Sequence, residues 1–163
     1  MSTVRIALAN LRFPSTPDDA VARAVQAIAE AGAVLVCGGL GGAMEAAARG
    51  AAAEGGAVLG LLPGADRGAA NAFVTIAVPT GMGEMRNALI VRAADAVIAV
   101  GGEFGTLSEI ALALKMGKPV VGLGTWTLDL EGLPGDPLQR AADPPEAVAK
   151  ALDAAERLAG SAR

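Results

Sequence analysis

Histidine and tyrosine are absent from this chain, and aromatic residues make up only 2% of its 163 residues. Without histidine the chain has no Ser-His-Asp triad, no imidazole proton shuttle and no histidine-ligated zinc. Its single cysteine, Cys37, excludes an internal disulfide and a thiolate metal cluster, and it fits a reducing compartment. Cys37 lies in an apolar segment, so it is most simply a small buried residue. Any catalysis must come from carboxylates, arginine, lysine, hydroxyl groups or the backbone.

Long apolar runs are also missing. Although 53% of the residues are hydrophobic, no run reaches the length of a membrane span. The first ten residues, MSTVRIALAN, lack the basic region and long apolar core of a signal peptide. The net charge of -4 and the lack of a Lys/Arg run argue against a nucleic-acid partner. We therefore expect a cytoplasmic protein with neither a membrane nor a nucleic-acid partner.

What the chain does contain is best seen in residues 95–116, DAVIAVGGEFGTLSEIALALKM. An apolar strand over 96–100 is followed by a turn from Gly101 to Thr106 and then by apolar residues at helical spacing up to Gly117. Glycines let the backbone approach a ligand closely, and the free N–H groups of a helix start bind anions. The stretch therefore predicts a phosphate or nucleotide site, with an ordinary strand-to-helix turn as the alternative.

Thr106 and Glu109 admit two interpretations. Thr106 stands where a helix cap, or a hydroxyl donor to phosphate, is expected, and Glu109 follows three residues later. That spacing matches a capping box, in which the Glu109 carboxylate accepts a hydrogen bond from the Thr106 backbone. It also allows a carboxylate beside a ligand. The spacing alone does not decide between the structural and the catalytic role.

A second glycine-rich loop covers residues 38–42. It fails the dinucleotide-binding fingerprint, because Met44 occupies the third glycine position after Gly39 and Gly41. It also lacks the Gly-Lys-Ser/Thr ending of a P-loop. Gly39, Gly41 and Gly42 are still candidates for close approach to a ligand, and tight packing of a helix on the sheet is the alternative.

A third loop, residues 79–83, leads into a predicted helix that begins near Glu84. Arg86 and Asn87 fall in the first turn of that helix. An arginine at a helix start opposes the helix dipole, which suggests an anionic partner such as Glu84 or a ligand phosphate. A plain solvated arginine is the alternative.

Apolar segments alternate with helical patterns along the whole chain. This alternation predicts one domain over residues 1–163, an α/β Rossmann-like, doubly wound parallel sheet with helices on both faces. Ligands of such sheets bind outside the carboxyl ends of the strands, so the three loops at 38–42, 79–86 and 101–106 should meet at one crevice. The predicted strands are residues 4–9, 34–37, 57–62, 73–78, 96–100 and 119–123. The predicted helices start at Ser15 or Thr16, 43, 84, 106 and 144, the last ending at 158, and residues 125–143 form a Gly/Pro-rich connection.

Over residues 34–123 the sequence resembles the Rossmann-like superfamily of the Lonely Guy cytokinin-activating phosphoribohydrolases, whose members are often labelled lysine decarboxylases. The pattern Pro-Gly-Gly-x-Gly-Thr-x-x-Glu of that family corresponds here to residues 100–109, VGGEFGTLSE. Val100 replaces the proline, and one extra residue follows the glycine pair. The upstream Arg-Lys of the family corresponds to Arg86 and Asn87, with asparagine in place of lysine.

The resemblance implies roles for these residues. Arg86 and Glu109 would be the catalytic pair of an enzyme, and Gly105 and Thr106 the phosphate cradle. The longer glycine turn and the asparagine look more like the branch of molybdenum-cofactor carrier proteins, which bind a phosphorylated pterin cofactor. The predicted ligand-binding residues are Gly39, Gly41, Gly42, Arg86, Asn87, Gly101, Gly102, Gly105 and Thr106.

Two functions compete on this basis. The first is a binding or carrier protein for a phosphate-bearing, nucleotide-like ligand, either the molybdenum cofactor or a nucleotide, with no required cofactor. The second is a phosphoribohydrolase of nucleoside 5'-monophosphates, in which a carboxylate stabilises the oxocarbenium ion or activates water. A nicotinamide dehydrogenase is disfavoured by the failed fingerprint, and a lysine decarboxylase by the lack of a recognisable pyridoxal-phosphate site. The spacing of Glu84, Glu103 and Glu109 does not require a divalent ion, so we predict no metal site.

The apolar fraction of 53% and the alanine-rich helices predict a homo-oligomer, most simply a symmetric dimer. The helices near 84–94 and 106–116 are the candidate interface, because their apolar positions exceed one sheet-facing stripe. The alternative is that this excess is only alanine, which tolerates exposure to solvent.

Overall fold

Parallel strands form one sheet in the computed structural model, which describes residues 3–10, 25–129, 131–132 and 135–161. The described strands are β1 (Arg5–Asn10), β2 (Val34–Cys37), β3 (Val58–Leu62), β4 (Ile76–Pro79), β5 (Ala96–Val100), β6 (Val120–Leu123) and β7 (Gln139–Ala141). They lie in the order β4-β3-β2-β1-β5-β6-β7. Every neighbouring pair is parallel. The predicted α/β class with a parallel sheet is confirmed.

Helices connect these strands. The first, α1, is described over residues 25–30. The others are α2 (Ala43–Ala53), α3 (Asn87–Ala93), α4 (Phe104–Lys115) and α5 (Pro144–Ser161), and two short 3-10 helices cover Arg67–Ala69 and Gly83–Arg86. Within the part of the chain that the structure describes, no helix combines the length and the apolarity needed to cross a membrane.

Two hydrophobic clusters pack on opposite faces of the sheet. Because side chains alternate along a strand, Ile6 and Leu8 of β1 join the cluster that contains residues of α1, α2 and α5, whereas Ala7 and Ala9 join the cluster of α3 and α4. The central strands are therefore covered on both sides, which explains why β5 is an uninterrupted apolar run with all of its residues buried. Each fully buried valine, leucine or isoleucine contributes about 1.5–3 kcal/mol to the stability of the folded state.

Successive strands are added on one side of β1 up to β4 and on its other side from β5 onward. The strands β2, β3 and β4 follow β1 on one side, and the chain then returns to place β5 directly beside β1. Ligands of doubly wound sheets bind at this reversal, outside the carboxyl ends of the strands. The end of β5 and the start of α4 lie there.

The fourth strand begins later than predicted, at Ile76 instead of residue 73. The Asn71 side-chain oxygen accepts a hydrogen bond from the Phe73 backbone N–H at 3.1 Å. The Thr75 hydroxyl oxygen accepts one from the Val58 backbone N–H at 2.7 Å. These side-chain bonds hold the residues before Ile76 in a turn, which an apolar pattern alone does not indicate.

The prediction that residues 125–143 are only a connection is wrong, because they contain β7. The three residues of this strand, Gln-Arg-Ala, carry no apolar run. Arg140 fixes the segment, since its Nη2 donates to the Trp126 carbonyl at 2.7 Å and its Nε to the Asp136 carboxylate at 2.6 Å.

Two helix predictions also change, and a third is not tested. The predicted start at Glu84 is the 3-10 helix Gly83–Arg86, after which α3 begins at Asn87. The last helix continues to Ser161 instead of ending at residue 158. The predicted start of the first helix at Ser15 or Thr16 lies outside the described residues.

Candidate functional site

The loops that follow β2, β4 and β5 contribute to one cavity at the carboxyl edge of the sheet, as the sequence predicts. Its volume is about 940 Å³. The described residues that line it are Leu40, Pro63, the segments 84–88 and 102–105, Ser108 and Leu112. A cavity of this size accommodates a ligand as large as a nucleotide or a cofactor.

Arg86 is the one cationic residue among the described residues that line this cavity, and only 8% of its surface is exposed. Its guanidinium lies against Gly38, at the end of β2. A Cβ atom at Gly38 would stand 2.5 Å from Arg86 Nη2 and 2.9 Å from Cζ, so any larger residue would displace the guanidinium. Gly38 was not among the predicted site residues, because this contact joins two loops that are distant in the sequence.

The Arg86 guanidinium is only partly satisfied by the protein. Its Nη1 donates to the Asn87 side-chain oxygen at 2.6 Å and lies 3.8 Å from Glu109 Oε1. Its Nε is buried and has no hydrogen-bond partner among the residues that the structure describes. A buried donor without a partner costs about 1–3 kcal/mol, so a ligand that accepts this hydrogen bond would recover that energy.

A chain of hydrogen bonds links Arg86 to the first turns of α4. The Asn87 side-chain amide donates to the Ser108 hydroxyl at 3.1 Å, and that hydroxyl donates to the Gly105 carbonyl at 2.7 Å. Asn87 therefore accepts from Arg86 on one side and donates to α4 on the other. These hydrogen bonds fix the position of the Arg86 guanidinium relative to the start of α4.

Glu109 lies on α4 with 5% of its surface exposed. Burial raises the pKa of its carboxyl to about 8, and the nearby Arg86 charge opposes that rise. Burial also lowers the pKa of Arg86, although Glu109 counteracts this effect. An arginine keeps its proton at neutral pH, so below pH 8 the pair is a guanidinium cation beside a mostly protonated carboxyl.

Cys37 is fully buried at the end of β2, close to the same pair. Burial raises the pKa of its thiol to about 11, although a backbone hydrogen bond from Gly39 and the charge of Arg86 both favour the thiolate. The prediction that Cys37 is a small buried residue is confirmed.

The capping-box interpretation of Thr106 and Glu109 is wrong. The helix α4 begins at Phe104 with Glu103 as its N-cap residue, and no side chain caps it. Thr106 therefore lies inside the first turn. Its hydroxyl is buried without a hydrogen-bond partner. The Glu109 carboxyl lies beside Arg86 instead of turning back to the start of the helix.

The predicted glycines separate into two groups. Gly102 and Gly105 line the cavity, and Gly101 precedes them with a φ of 75°, a conformation that favours glycine. Gly39 packs on β3, since a Cβ there would stand 2.9 Å from the Leu62 side chain.

The other two predicted glycines of that loop, Gly41 and Gly42, are exposed at the start of α2. Of the segment 38–42, the described cavity lining includes Leu40 alone. Likewise Arg86 and Asn87 line the cavity, whereas Thr106 and Glu109 are not among its described lining residues.

The cavity also has an apolar rim that the sequence did not indicate. Met85 and Phe104 line it and expose 75% and 80% of their surfaces. Met85 directly precedes Arg86, and Phe104 directly follows Glu103. A single sequence does not distinguish an exposed apolar residue from a buried one.

Two exposed acidic residues, Glu84 and Glu103, line the cavity. The hydrogen-bond donors of the site are the Arg86 guanidinium, the backbone N–H groups of the first turn of α4 and the buried Thr106 hydroxyl. Such a set of donors binds an anion. The described residues include no group of three or more His, Cys, Asp or Glu that could hold a metal ion.

Proteins of known structure resemble this chain over nearly its whole length. The molybdenum cofactor binding protein of Rippkaea orientalis is 34% identical with a TM-score of 0.81, and the alignment covers 94% of this chain and 98% of that one. The molybdenum cofactor carrier protein of Chlamydomonas reinhardtii is 32% identical with a TM-score of 0.75, covering 93% and 98% of the two chains.

By sequence, the chain is also similar to an uncharacterized protein of Archaeoglobus fulgidus, with 52% identity over 101 residues. This match spans 62% of the present chain and 66% of that protein, just under two thirds of its length.

The model of the SLOG cluster4 family matches residues 14–151. Together with the two structures, this match confirms the resemblance to the Lonely Guy superfamily and to its molybdenum-cofactor carrier branch. Because the match covers most of its length, the chain belongs to the SLOG cluster4 family.

Proposed function

We propose that this protein binds or carries a phosphate-bearing, nucleotide-like ligand, and that the molybdenum cofactor is the first candidate. The observation that carries the proposal is the buried Arg86 guanidinium, which lines a cavity of about 940 Å³ with one donor unpaired. A phosphate oxygen is the acceptor that suits such a donor best, because the hydrogen bond is charge-assisted.

The start of α4 adds donors to the same place. The first N–H groups of a helix have no partner within the helix, and here no side chain caps them. They carry the positive end of the helix dipole, which favours an anion. Gly102 and Gly105 border the cavity at this point and leave room for a ligand oxygen to reach the backbone.

The raised pKa of Glu109 removes an obstacle to this proposal. An ionised carboxylate beside a phosphate would repel it. With a pKa of about 8, the carboxyl is mostly protonated at neutral pH, so it leaves the Arg86 charge available to an incoming anion. The acidic residues Glu84 and Glu103 lie in the exposed part of the cavity lining.

The comparisons support the choice of ligand. The structures of Rippkaea orientalis and Chlamydomonas reinhardtii are described as molybdenum cofactor binding and carrier proteins. The site residues fit a phosphorylated pterin, since Arg86 and the start of α4 suit its phosphate. When bound, that ligand would supply the molybdenum chemistry to a recipient protein, and the present chain would only hold it.

Native mass spectrometry of freshly purified protein tests the proposal. We expect a bound mass that matches a phosphorylated pterin or nucleotide, and Arg86→Ala should lose it. Arg92→Ala, an exposed arginine in the last turn of α3, is the matched control and should keep it. A folded Arg86→Ala variant that retains the same ligand would contradict the proposal.

A second candidate is the hydrolysis of nucleoside 5'-monophosphates, and the Glu109 carboxyl favours it. A carboxyl with a pKa of about 8 is poised to donate or accept a proton near neutral pH. Against this reading, Glu109 is not among the described residues that line the cavity.

The test of the hydrolase is the release of free base from a panel of nucleoside monophosphates. If the protein is an enzyme, Glu109→Gln should reduce that release by roughly 10²–10⁴-fold, because the amide cannot transfer a proton. Absence of base release, together with thermal stabilisation by the same compounds, favours the carrier.

We also propose that the protein is a homo-oligomer. Ile76 and Val78 of β4 share the sheet face with Leu59 and Leu61 of β3, and they are 54% and 38% exposed. This uncovered apolar surface adds to the excess that the composition indicates. Light scattering at micromolar concentration should give a multiple of the chain mass, and a mass near 16.0 kDa would contradict the oligomer.

A further inference from the structure

Phe104 is the most exposed of the large hydrophobic side chains that the structure describes, with 80% of its surface accessible. It is the first residue of α4 and lines the cavity. Met85 lines the same cavity and is 75% exposed. Two exposed apolar side chains at one cavity are unusual, because water contact with apolar surface is unfavourable.

The Phe104 ring has support on one side. The centroid of the Trp126 ring lies 5.8 Å from that of Phe104, with 35° between the ring planes. Trp126 is itself held, because its Nε1 donates to the Glu103 carbonyl at 3.2 Å, one residue before Phe104. The phenyl ring is therefore backed by a second ring that is tied to the start of the same helix.

Both apolar residues are adjacent to the anion-binding groups in the chain. Met85 directly precedes Arg86, and Phe104 directly precedes Gly105 in the first turn of α4. The 3-10 helix turns Met85 outward and Arg86 inward, so the two residues differ from 75% to 8% in exposure. The cavity thus combines the buried cation of Arg86 with two exposed apolar side chains, and the exposed acidic residues Glu84 and Glu103 also line it.

We infer that Phe104 and Met85 bind the flat ring system of a ligand whose phosphate is held by Arg86 and the start of α4. The inference rests on the proposed function and specifies the ligand class: a phosphate ester of a planar heteroaromatic compound. An aromatic face attracts another ring in an offset or tilted stack, and a methionine thioether contacts ring edges favourably. Covering these two side chains removes their apolar surface from water.

The affinities of three probes test this inference by calorimetry. GMP and a pterin monophosphate carry a ring, and ribose 5-phosphate carries none. Unmodified protein should bind both ring-bearing probes about two- to twelvefold more tightly than ribose 5-phosphate, which is the factor that aromatic stacking contributes.

Phe104→Leu keeps an apolar side chain but removes the ring. It should reduce the affinity for the ring-bearing probes by about five- to tenfold and change that for ribose 5-phosphate by less than about twofold. Leu158→Ala is the control, because Leu158 is a partly exposed apolar residue beside the amino ends of β1 and β5, away from the cavity. It should leave all three affinities unchanged.

The outcomes separate the inference from the proposed function. Equal affinity of the unmodified protein for all three probes would overturn the ring site while leaving the phosphate site intact. A ring preference that persists in Phe104→Leu would also overturn it. Failure of all three probes to bind would refute the proposed phosphate-bearing ligand, and the ring site with it.

Discussion

Two arginine–carboxylate pairs lie at opposite ends of the parallel strands. They differ in how completely the protein satisfies the hydrogen-bond donors of the arginine. At the amino edge, the Arg5 guanidinium donates to the Asp95 carboxylate through Nε at 3.0 Å and Nη2 at 2.9 Å, and both side chains are partly exposed. At the carboxyl edge, Arg86 lies 3.8 Å from Glu109, both are buried, and Arg86 Nε has no partner.

The difference indicates different roles. The pair Arg5–Asp95 joins the starts of β1 and β5, and Asp95 also accepts a hydrogen bond from the Arg5 backbone N–H at 2.7 Å. Because the Arg5 guanidinium is paired with Asp95 and partly exposed to solvent, none of its N–H groups requires a ligand. The buried pair is long, and its carboxyl is mostly neutral at physiological pH, so its cation stays available to an external anion.

Removal of each arginine should separate the two roles most clearly. We expect Arg86→Ala to weaken ligand binding by about 1.5–3 kcal/mol, roughly 10- to 150-fold, because a buried charged hydrogen bond is lost. Arg5→Ala should leave affinity unchanged. Calorimetric titration with GMP measures both, and circular dichroism verifies the fold. Equal affinities for Arg86→Ala and the unmodified protein would remove Arg86 from the site.

Gly38→Ala should displace the buried guanidinium without removing it. The new Cβ would stand 2.5 Å from Arg86 Nη2 and 2.8 Å from the Met44 sulfur. We expect affinity for GMP to fall by about tenfold, the equivalent of one weakened hydrogen bond.

Gly160→Ala is the control for this variant, since no atom outside its own helix lies within 4 Å of the added Cβ. It should bind as the unmodified protein does. If Gly38→Ala also binds normally, the position of the guanidinium against Gly38 is not required for the site.

The pH dependence of stability should reveal the buried carboxyl. The folded-state pKa of Glu109 is about 8, above its ordinary value of 4.5, so the folded state holds a proton that the unfolded chain releases. The free energy of unfolding should therefore fall as the pH rises from 4.5 to about 8 and then level off.

Urea denaturation across this range measures that slope. Glu109→Gln cannot ionise, so its stability should exceed that of the unmodified protein at pH 8 and vary less with pH. A variant with the same slope as the unmodified protein would show that another group titrates.

The smallest change in stability is expected for the partly exposed Arg5–Asp95 pair. Asp95→Asn removes one charge from a partly solvated ion pair, which typically contributes about 0.2–1 kcal/mol. Its effect on the urea midpoint should shrink further at high salt, because exposed charges are screened. A loss well above 2 kcal/mol would mean that the pair stabilises the sheet more than surface ion pairs usually do.

The sequence predicts the parts of the fold that depend on local pattern. Buried on both faces, β2 and β5 are continuous apolar runs. The predicted ranges of β2 and β5 and the predicted start of α2 agree with the structure. The edge strand β7 could not be found, because Gln139 and Arg140 carry no apolar signal and the segment is fixed by Arg140 contacts.

The site shows the same limit. The alternation of strands and helices predicts a parallel sheet, whose strands all end on the same side, so the meeting of three loops there could be predicted. The contact of Arg86 with Gly38 could not, because it depends on how two loops pack in space. The predicted start of α4 was also two residues too late, since Gly105 made the segment up to Thr106 resemble one glycine-rich turn. This error produced the capping-box interpretation of Thr106.

The burial of Cys37 allows thiol labelling to measure how often the folded protein opens. Only the thiolate reacts with alkylating reagents, and here the thiol is fully buried with a pKa of about 11. Since the chain has one cysteine, each labelled molecule records an event in which the carboxyl end of β2 became accessible. A ligand that binds only the closed form reduces that population by the factor 1 + [L]/Kd. Labelling rates at rising concentrations of a ligand therefore yield its affinity without an assay of turnover.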